Sequence, residues 1–306
     1  MKRLCKWAVA TVAAFLAVDF AFGLVMSWVM DHAKGGDTYK INYINRRFDD
    51  SLAVMGSSRA NHHYVSTLLE DSLGLTVYNC GVDGNGIFLA YCFLNNILAQ
   101  GRQPAVIVYD FLPSFDLYEA DDRQKPLSRI KPFYDIEGMK EILDDLSENE
   151  YLKLHLATYR YNSEFLQMLG DAFSPQQHVI RGYKPSEGTI TTDFAPPADE
   201  SGRRIDPLKA EYMKKFADLC RRRGIDLVFV TSPMFFEPHE NDNFAELLRR
   251  YGGSDLKLLD FRRDSLFTGR KELFADPMHM NNAGATLFSS MLADSLRSLA
   301  AARGAE

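Results

Sequence analysis

The sequence predicts an α/β fold built on a parallel sheet. Short apolar runs at 52–55, 76–78, 105–111, 226–231 and 257–261 are separated by segments with the length and periodicity of helices. The run at 105–111 is apolar almost throughout, as expected for a strand that is buried on both faces of a parallel sheet. Strands joined through helices make right-handed crossovers, so the carboxyl ends of these strands should meet at one edge of the sheet.

The first apolar run ends in a candidate nucleophile. Gly56 closes it, Ser57, Ser58 and Arg59 follow, and a helical pattern is predicted from His62 to Leu73. A serine at such a turn lies where ligands of α/β sheets bind, close to N–H groups that stabilise an anion. A nucleophilic serine needs that exposure and those donors, although a helix N-cap accounts for the same residue.

A glycine-rich loop follows the second strand. Gly81, Gly84 and Gly86 lie within six residues and permit close approach of the backbone or positive φ angles. Their spacing does not match the dinucleotide-binding fingerprint. A buried helix is predicted from Ile87 to Ala99.

The regular alternation pauses between about residues 113 and 205. This stretch is rich in charged and aromatic residues, and we expect a helical insertion over the sheet edge. It could supply a lid, a substrate wall or a purely structural layer. The alternation returns at Asp206 and Pro207, a good N-cap and first helical residue. The last predicted helix runs from Thr286 to Ala300, and the α/β domain is predicted to span 49–306.

The amino terminus predicts a membrane anchor over residues 1–31. Lys2, Arg3 and Lys6 precede an apolar run from Trp7 to Met30 whose one charge is Asp19. At about 1.5 Å per residue this run can cross a hydrocarbon core of about 30 Å. The basic residues favour a cytoplasmic amino end, with the rest of the chain outside. A cleaved signal peptide is the alternative, and residues 32–48 are predicted to be a linker.

The charge balance and the cysteine spacing exclude some function classes. Lys and Arg number 35 against 41 Asp and Glu, a net charge of -6 with no basic stripe, so nucleic-acid binding is not expected. The four cysteines lack metal-ligand spacing, and three of them lie in apolar stretches typical of buried thiols. We predict no metal site and no cofactor.

A candidate acid–base pair comes just before the last helix. Asp276 and His279 are three residues apart. An aspartate there can accept a hydrogen bond from one imidazole nitrogen and leave the other to take a proton from a serine. Alone this pair is a weak signal. Combined with the Gly-x-Ser turn and the glycine-rich loop, it becomes informative.

This combination resembles the SGNH (GDSL-like) hydrolase superfamily. It resembles most the membrane-attached branch found with polysaccharide O-acylation, which is related to the alginate acetylation proteins and to DltD. The first block of that branch often reads Gly-Ser-Ser-Arg, as residues 56–59 do here. The resemblance covers about residues 50–111 and 206–300 and implies a flavodoxin-like three-layer α/β/α sandwich.

The resemblance also implies roles for individual residues. Ser58 would be the nucleophile, His279 the base, and Asp276 the residue that orients the base. The backbone N–H groups of Ser58 and Gly84 would form the oxyanion hole, because residues 79–84 match the family's second block.

One departure from the family pattern concerns the third block. The family supplies an Asn side chain to the oxyanion hole after the third strand, but here residues 110–114 contain no Asn. Losing one such donor can cost about 10²–10³ in rate. Asn61, Asn85 and Arg59 are candidate substitutes. Arg59 could instead bind a substrate carboxylate, or form a salt bridge to Asp110 or Asp83.

Other residues near the candidate site have less distinct expectations. His62 and His63 follow Ser58, but adjacent residues of a helical turn face different directions and are poor joint metal ligands. We expect them to be exposed or to form part of the site wall. The segment 235–239 could line the same cleft, although core packing explains its aromatic residues equally well.

The leading functional hypothesis is a serine-dependent esterase or acyltransferase acting on O-acyl groups, O-acetyl foremost, of a cell-surface polysaccharide. The expected location is the cytoplasmic membrane, with the catalytic domain in the periplasm or cell exterior. Expected partners are the membrane, an acylated glycan and a membrane-bound O-acyltransferase. One alternative is a catalytically degenerate glycan-binding or accessory protein of such a machinery. A further alternative is an anion binder that uses the turn after Gly56 and Arg59.

Overall fold

The computed structural model describes residues 1–173, 179–200, 202–239, 243–253 and 256–303. It has an α/β architecture, as predicted, with a five-stranded parallel sheet of strand order 2-1-3-4-5. The strands of this sheet are β1 (Leu52–Gly56), β2 (Val77–Asn79), β3 (Val106–Asp110), β4 (Asp226–Thr231) and β5 (Lys257–Asp260). A separate antiparallel hairpin consists of β6 (Phe274–Asp276) and β7 (His279–Met280).

Helices precede, connect and follow the strands. They are α1 (Lys2–Asp31), α2 (Gly36–Arg46), α3 (Ser58–His63), α4 (Ser66–Leu73), α5 (Ile87–Ala99), α6 (Pro113–Asp116), α7 (Leu127–Ile130), α8 (Met139–Leu146), α9 (Glu150–Lys153), α10 (Ala157–Tyr161), α11 (Phe165–Phe173), α12 (Pro207–Arg223), α13 (Phe244–Tyr251) and α14 (Asn282–Arg303). Short 3₁₀ turns cover Lys131–Phe133 and Lys271–Leu273.

Two local predictions differ from the structure. The single helix expected from His62 to Leu73 is two helices, α3 and α4, because the backbone at Tyr64 is extended. The predicted linker contains α2, which begins at Gly36 itself. Gly36 adopts a positive φ of 66°, which glycine tolerates without a steric penalty.

The chain divides into two compact units. The first comprises Met1–Arg47 and Arg123–Gln177, and the second comprises Phe48–Asp122 and His178–Glu306. The insertion that leaves the sheet unit is therefore shorter than the predicted 113–205. The part of it after the first unit folds with the sheet, since Asn281 donates a hydrogen bond to the Gly188 carbonyl at 2.9 Å.

The strand register brings the carboxyl ends of the central strands together. Gly56 of β1 lies opposite Asp110 of β3, and Asp110 lies opposite Val230 of β4. Residues that follow these strands therefore leave the sheet at one edge, as the sequence predicts.

The core of the sheet unit is apolar and continuous with the last helix. Val54 and Val108 belong to the same buried cluster as Phe288 and Leu292 of α14. Tyr109, which neighbours Val108 and so points to the other face, packs against Phe216 of α12 with ring centroids 5.4 Å apart. Cys80, Cys92 and Cys220 are buried free thiols, which confirms that prediction.

α1 is long and apolar enough to cross a membrane or to act as a signal sequence. It is 30 residues long, and Asp19 is its one charge between Trp7 and Met30.

Candidate active site

Ser58 lies at the start of α3, immediately beyond the carboxyl end of β1. The turn before it requires glycine, because Gly56 has a φ of +136° and an added Cβ would lie 2.8 Å from the Asp110 carbonyl oxygen. The close approach of β1 and β3 at this point therefore fixes where the chain leaves the sheet, and with it the position of Ser58. Ser58 itself is partly exposed.

Asp276 and His279 face each other across the β6–β7 hairpin. One oxygen of Asp276 accepts the main-chain N–H groups of Met278 at 2.8 Å and His279 at 3.0 Å, which holds the tight turn between them. The His279 Nδ1 lies 2.9 Å from Asp276 Oδ2. The sequence predicted this pair, and the hairpin is what aligns the two side chains.

The structure brings Ser58 to this pair although 221 positions separate it from His279. The Ser58 Oγ lies 2.7 Å from His279 Nε2. With the ring proton on Nδ1 and donated to Asp276, Nε2 is the acceptor of the Ser58 hydroxyl. These contacts form a serine–histidine–aspartate relay with distances suited to proton transfer.

The aspartate of this relay is held ionised. Partial burial would raise the pKa of Asp276, but hydrogen bonds from the His279 ring and from the Met278 and His279 N–H groups outweigh it, so its pKa lies below the ordinary value. A carboxylate that stays ionised through neutral pH can stabilise the imidazolium that forms when His279 takes a proton.

His63 holds the backbone next to His279 through a hydrogen bond, a role that the sequence did not predict. It is completely buried, contrary to the expectation of an exposed or wall residue. Its Nε2 accepts the Met280 main-chain N–H at 2.9 Å, and its Nδ1 donates to Ser232 Oγ at 2.8 Å. Met280 directly follows His279, so His63 helps to fix the backbone that carries His279.

Arg59 is not placed to meet a substrate. Its side chain is 1% exposed, and its Nε lies 3.6 Å from Asp110 Oδ1, which matches the salt-bridge alternative. Its guanidinium also donates to Ser232 Oγ at 2.7 Å and to the Ser232 carbonyl. The predicted role of Arg59 in oxyanion or substrate binding is therefore corrected: this side chain ties α3 to the ends of β3 and β4.

His62 borders the site, as expected for a wall residue. Its ring makes an edge contact with the His279 ring, with centroids 5.6 Å apart. Its Nδ1 is 2.8 Å from the Lys184 carbonyl oxygen, and its Nε2 is 3.2 Å from Asp83. Burial would raise the pKa of Asp83, but hydrogen bonds from His62 and Asn61 lower it well below its usual range.

The glycine-rich loop lies against α3. A Cβ at Gly81 would lie 2.4 Å from the Asn61 N–H nitrogen, so glycine allows this close approach. Asn61 donates to Asp83 at 2.8 Å and is thereby engaged within the loop. Gly84 has a positive φ of 70° at the turn of this loop.

The oxyanion roles of Gly84 and Asn85 stay predictions. Among the described residues, no hydrogen bond joins either of them to Ser58 or His279. Asn85 donates to the Asp83 carbonyl at 3.0 Å, and its side-chain oxygen is buried with no hydrogen-bond partner in the part of the chain that the structure describes. At the third block, Asp110 is buried and accepts the Tyr64 hydroxyl. A carboxylate only accepts hydrogen bonds, so it cannot replace the absent Asn as a donor.

An apolar cavity of about 150 Å³ adjoins the hairpin turn. Met278, between Asp276 and His279, forms part of its wall, and residues that follow β3 and β4 form most of the rest. Its other lining residues are Leu112, Pro113, Ser114, Tyr118, Pro197, Ala198, Glu200, Met234, Glu237, Pro238, His239 and Phe244. Phe235 instead packs in the core, so only the second half of the segment 235–239 reaches this cavity.

Comparisons with known proteins assign no family. No protein-family model matches the chain, and no curated protein matches it. A solved structure from Streptococcus pneumonia, described as a candidate platelet activating factor, is similar over 95% of this chain and 99% of its own, with 11% sequence identity and a TM-score of 0.39.

Proposed function

We propose that this protein is a serine-dependent esterase or acyltransferase. The observation that carries the proposal is the relay from Ser58 Oγ through His279 Nε2 and Nδ1 to Asp276, with distances of 2.7 and 2.9 Å. A hydroxyl, a base and an orienting carboxylate in hydrogen-bond contact are the components of acyl transfer.

The mechanism follows from these contacts. Ser58 Oγ attacks the carbonyl carbon of an ester while its proton passes to His279 Nε2. Asp276 stabilises the imidazolium, and the backbone N–H groups of Ser58 and Gly84 are the proposed donors to the oxyanion. His279 then gives its proton to the departing alkoxide, which leaves an acyl group on Ser58. Water or a sugar hydroxyl, deprotonated by His279, attacks this acyl-enzyme and regenerates Ser58.

The proposed family is the SGNH-like group. The strand order 2-1-3-4-5 is the order of flavodoxin-like sheets. Val108 shares a buried cluster with residues of α14, and Tyr109 packs against Phe216 of α12. These two faces support a three-layer sandwich with helices on both sides of the sheet. The carboxyl-edge position of Ser58 supports a site at the place where such sheets bind ligands.

The proposed substrate is an O-acyl group on a cell-surface polysaccharide. Acetyl is the group expected from the resemblance. The apolar cavity beside Met278 supports an acyl chain longer than acetyl as well, since an apolar cavity of about 150 Å³ accommodates benzene in another protein. With the length and hydropathy of α1, the proposed location is the cytoplasmic membrane, with the sheet unit outside and a membrane-bound O-acyltransferase as partner.

Covalent labelling tests the nucleophile. A serine-reactive fluorophosphonate should label the wild-type protein, and Ser58→Ala should lose the label. Ser57→Ala is the matched control, because the adjacent hydroxyl is buried and has no hydrogen-bond partner in the described part of the chain. It should keep the label. Failure of the folded wild-type protein to react would remove the basis of this proposal.

A second candidate function is a catalytically inactive accessory protein of a membrane O-acylation machinery. The observation in its favour is the third block, where the chain after β3 continues as Phe111 and Leu112 without an amide side chain. Release of p-nitrophenol from p-nitrophenyl acetate separates the two functions. Turnover that depends on Ser58 and His279 supports the enzyme, and none from folded protein supports the accessory role.

A further inference from the structure

The two tryptophans of the chain bracket the apolar part of α1. Trp7 and Trp28 are 21 residues apart, which corresponds to about 32 Å along a helix. The hydrocarbon core of a bilayer is about 30 Å thick, and tryptophan is enriched at its two interfaces. Both rings are exposed on the protein surface. This spacing defines where the bilayer would lie along α1.

Asp19 falls inside that interval. It follows Trp7 by 12 residues and precedes Trp28 by nine, so it lies about 14 Å from the nearer interface. Its side chain is only 5% exposed although every residue before it on α1 is exposed. A charge at that depth requires partners that satisfy it.

The partners of Asp19 come from the inserted segment of the same unit. The carboxylate accepts the Ala157 N–H at 2.8 Å, the Thr158 N–H at 2.8 Å and the Thr158 hydroxyl at 2.6 Å. Close packing at Gly23 accompanies these bonds, because an added Cβ there would lie 2.8 Å from the Ala157 Cβ. The amino end of α10 therefore lies at the same depth as Asp19.

If the insertion lay wholly in water, the part of α1 left to cross the bilayer would be too short. Asp19 would then lie at the interface, and only Trp7 to Val18 would remain to cross the bilayer. Those 12 residues cover about 18 Å, well under the required 30 Å. A spanning α1 with these contacts must bring the insertion into the lipid.

The surface of the insertion fits such an environment. Leu152 and Leu166 are 72% and 71% exposed, and Phe173 is 67% exposed. The Phe173 ring lies 6.4 Å from the Trp28 ring, at the interface level of α1. Unlike scattered surface leucines, these side chains share a unit with the apolar helix.

The charged residues between positions 150 and 173 have partners within the unit. Their contacts are Glu150 with Lys153 at 3.1 Å, Glu164 with Arg129 at 3.5 Å, Asp171 with the Thr38 N–H at 3.0 Å, and Arg160 over the Tyr134 ring at 4.8 Å. Paired charges of this kind lower the cost of leaving water.

We infer that residues 150–173 are embedded in the lipid leaflet around the carboxyl-terminal half of α1. The partner of this surface is the phospholipid bilayer itself. The inference rests on the proposed membrane anchor, and it adds that the anchor is a retained part of a folded unit, because Asp19 and Gly23 complete the packing of α10. This part of the insertion then lies in the membrane and does not form a lid in water.

Depth-dependent fluorescence quenching tests this inference. The full-length protein is reconstituted in phosphatidylcholine vesicles whose acyl chains carry bromine at defined positions. Leu166→Trp and Leu152→Trp are made in a Trp7→Phe, Trp28→Phe background. The matched control is Leu266→Trp in the same background. Leu266 is an exposed leucine of the sheet unit. The charged residues Arg263 and Asp264 precede it closely in the sequence, so this position should stay outside the hydrocarbon.

The expected result is that the bromolipids quench the fluorescence of the Leu166→Trp and Leu152→Trp variants at least about twofold more than that of the control. In a separate measurement on the wild-type protein, quenching of Trp7 and Trp28 shows whether α1 itself lies in the bilayer. Quenching of these native tryptophans without quenching in the two insertion variants would overturn the embedded insertion but leave the anchor intact. Absence of quenching at all these positions, with release of the protein by alkaline carbonate, would overturn the anchor and the inference together.

Discussion

The imidazole of His63 accepts the main-chain N–H of Met280 through Nε2, at 2.9 Å. The proton of the ring must then reside on Nδ1, which donates to Ser232 Oγ. Complete burial lowers the pKa of His63 well below its ordinary value, and the nearby charges of Arg59 and His279 lower it further. A neutral ring with one fixed tautomer therefore joins α3, the end of β4 and β7, the strand that contains His279.

The first prediction separates the two ends of this ring. In His63→Gln the amide can reach the position of Nε2 and still accept the Met280 N–H. In His63→Asn the amide reaches only the position of Nδ1, and the buried Met280 N–H is left unsatisfied at a cost of about 1–3 kcal/mol. We expect the Gln variant to keep more fluorophosphonate reactivity than the Asn variant.

Rates of labelling and thermal unfolding, measured together, decide what His63 does. A positioning role requires that kcat for a nitrophenyl ester fall more in His63→Asn than in His63→Gln, with KM little changed. Equal loss of stability in both variants with no difference in kcat would reduce His63 to a packing residue.

The second prediction concerns the carboxylate of the relay. Asp276→Asn preserves size but removes the charge that holds the proton on His279 Nδ1. By analogy with serine proteases, ester hydrolysis should fall roughly 10²- to 10⁴-fold in kcat with KM little changed. Asp294→Asn is the control, since Asp294 is exposed and pairs only with nearby Arg297 among the residues that the structure describes. Steady-state hydrolysis of p-nitrophenyl acetate measures kcat and KM for both variants. Equal rates for the two variants would contradict the proposed role of Asp276.

The third prediction concerns acyl-chain length. Each methylene moved from water into the cavity beside Met278 contributes about 0.8 kcal/mol, so p-nitrophenyl hexanoate should have a kcat/KM at least about tenfold above that of the acetate ester. Ser114→Phe should reduce this preference by filling the cavity, whereas the exposed-surface change Ser298→Phe should not. A preference for acetate in the wild-type protein would show that the cavity does not receive the acyl group.

The fourth prediction is a pH dependence of stability. Burial of Asp116 raises its pKa to about 7, although hydrogen bonds from Tyr109 and the Leu112 N–H partly oppose the rise. The native state therefore binds a proton more tightly than the unfolded chain, in which this pKa is near 4. Stability should fall as pH rises from about 4 to about 7, by up to about 1.4 kcal/mol per pH unit from this group, and then level off.

Asp116→Asn tests this dependence, because an amide can accept the Leu112 N–H and donate to the Tyr109 oxygen without ionising. The difference in unfolding temperature between variant and wild type should favour the variant more at pH 8 than at pH 5. A constant difference across this range would show that Asp116 does not titrate as described.

Much of the sheet and the relay could be predicted locally. The boundaries of β4 followed from an apolar run beside Asp226, and the Gly56–Ser58 turn followed from one glycine after such a run. The split between α3 and α4 falls at Tyr64, which has an extended backbone, is buried and donates its hydroxyl to Asp110 of β3, 46 positions away. The residues around Tyr64 in the sequence give no indication that its partner is Asp110.

The sequence by itself determined the α/β class, the apolar α1 and the residue types of the serine–histidine–aspartate set, because short-range periodicity and turn chemistry specify strands, helices and the glycine turn. Only the tertiary structure decided which side chains meet. It buried Arg59 and His63 beneath the site, and it joined Asp19 to the Thr158 segment. These pairings depend on contacts between positions far apart in the chain, where packing and hydrogen-bond satisfaction, rather than local propensity, select the partner.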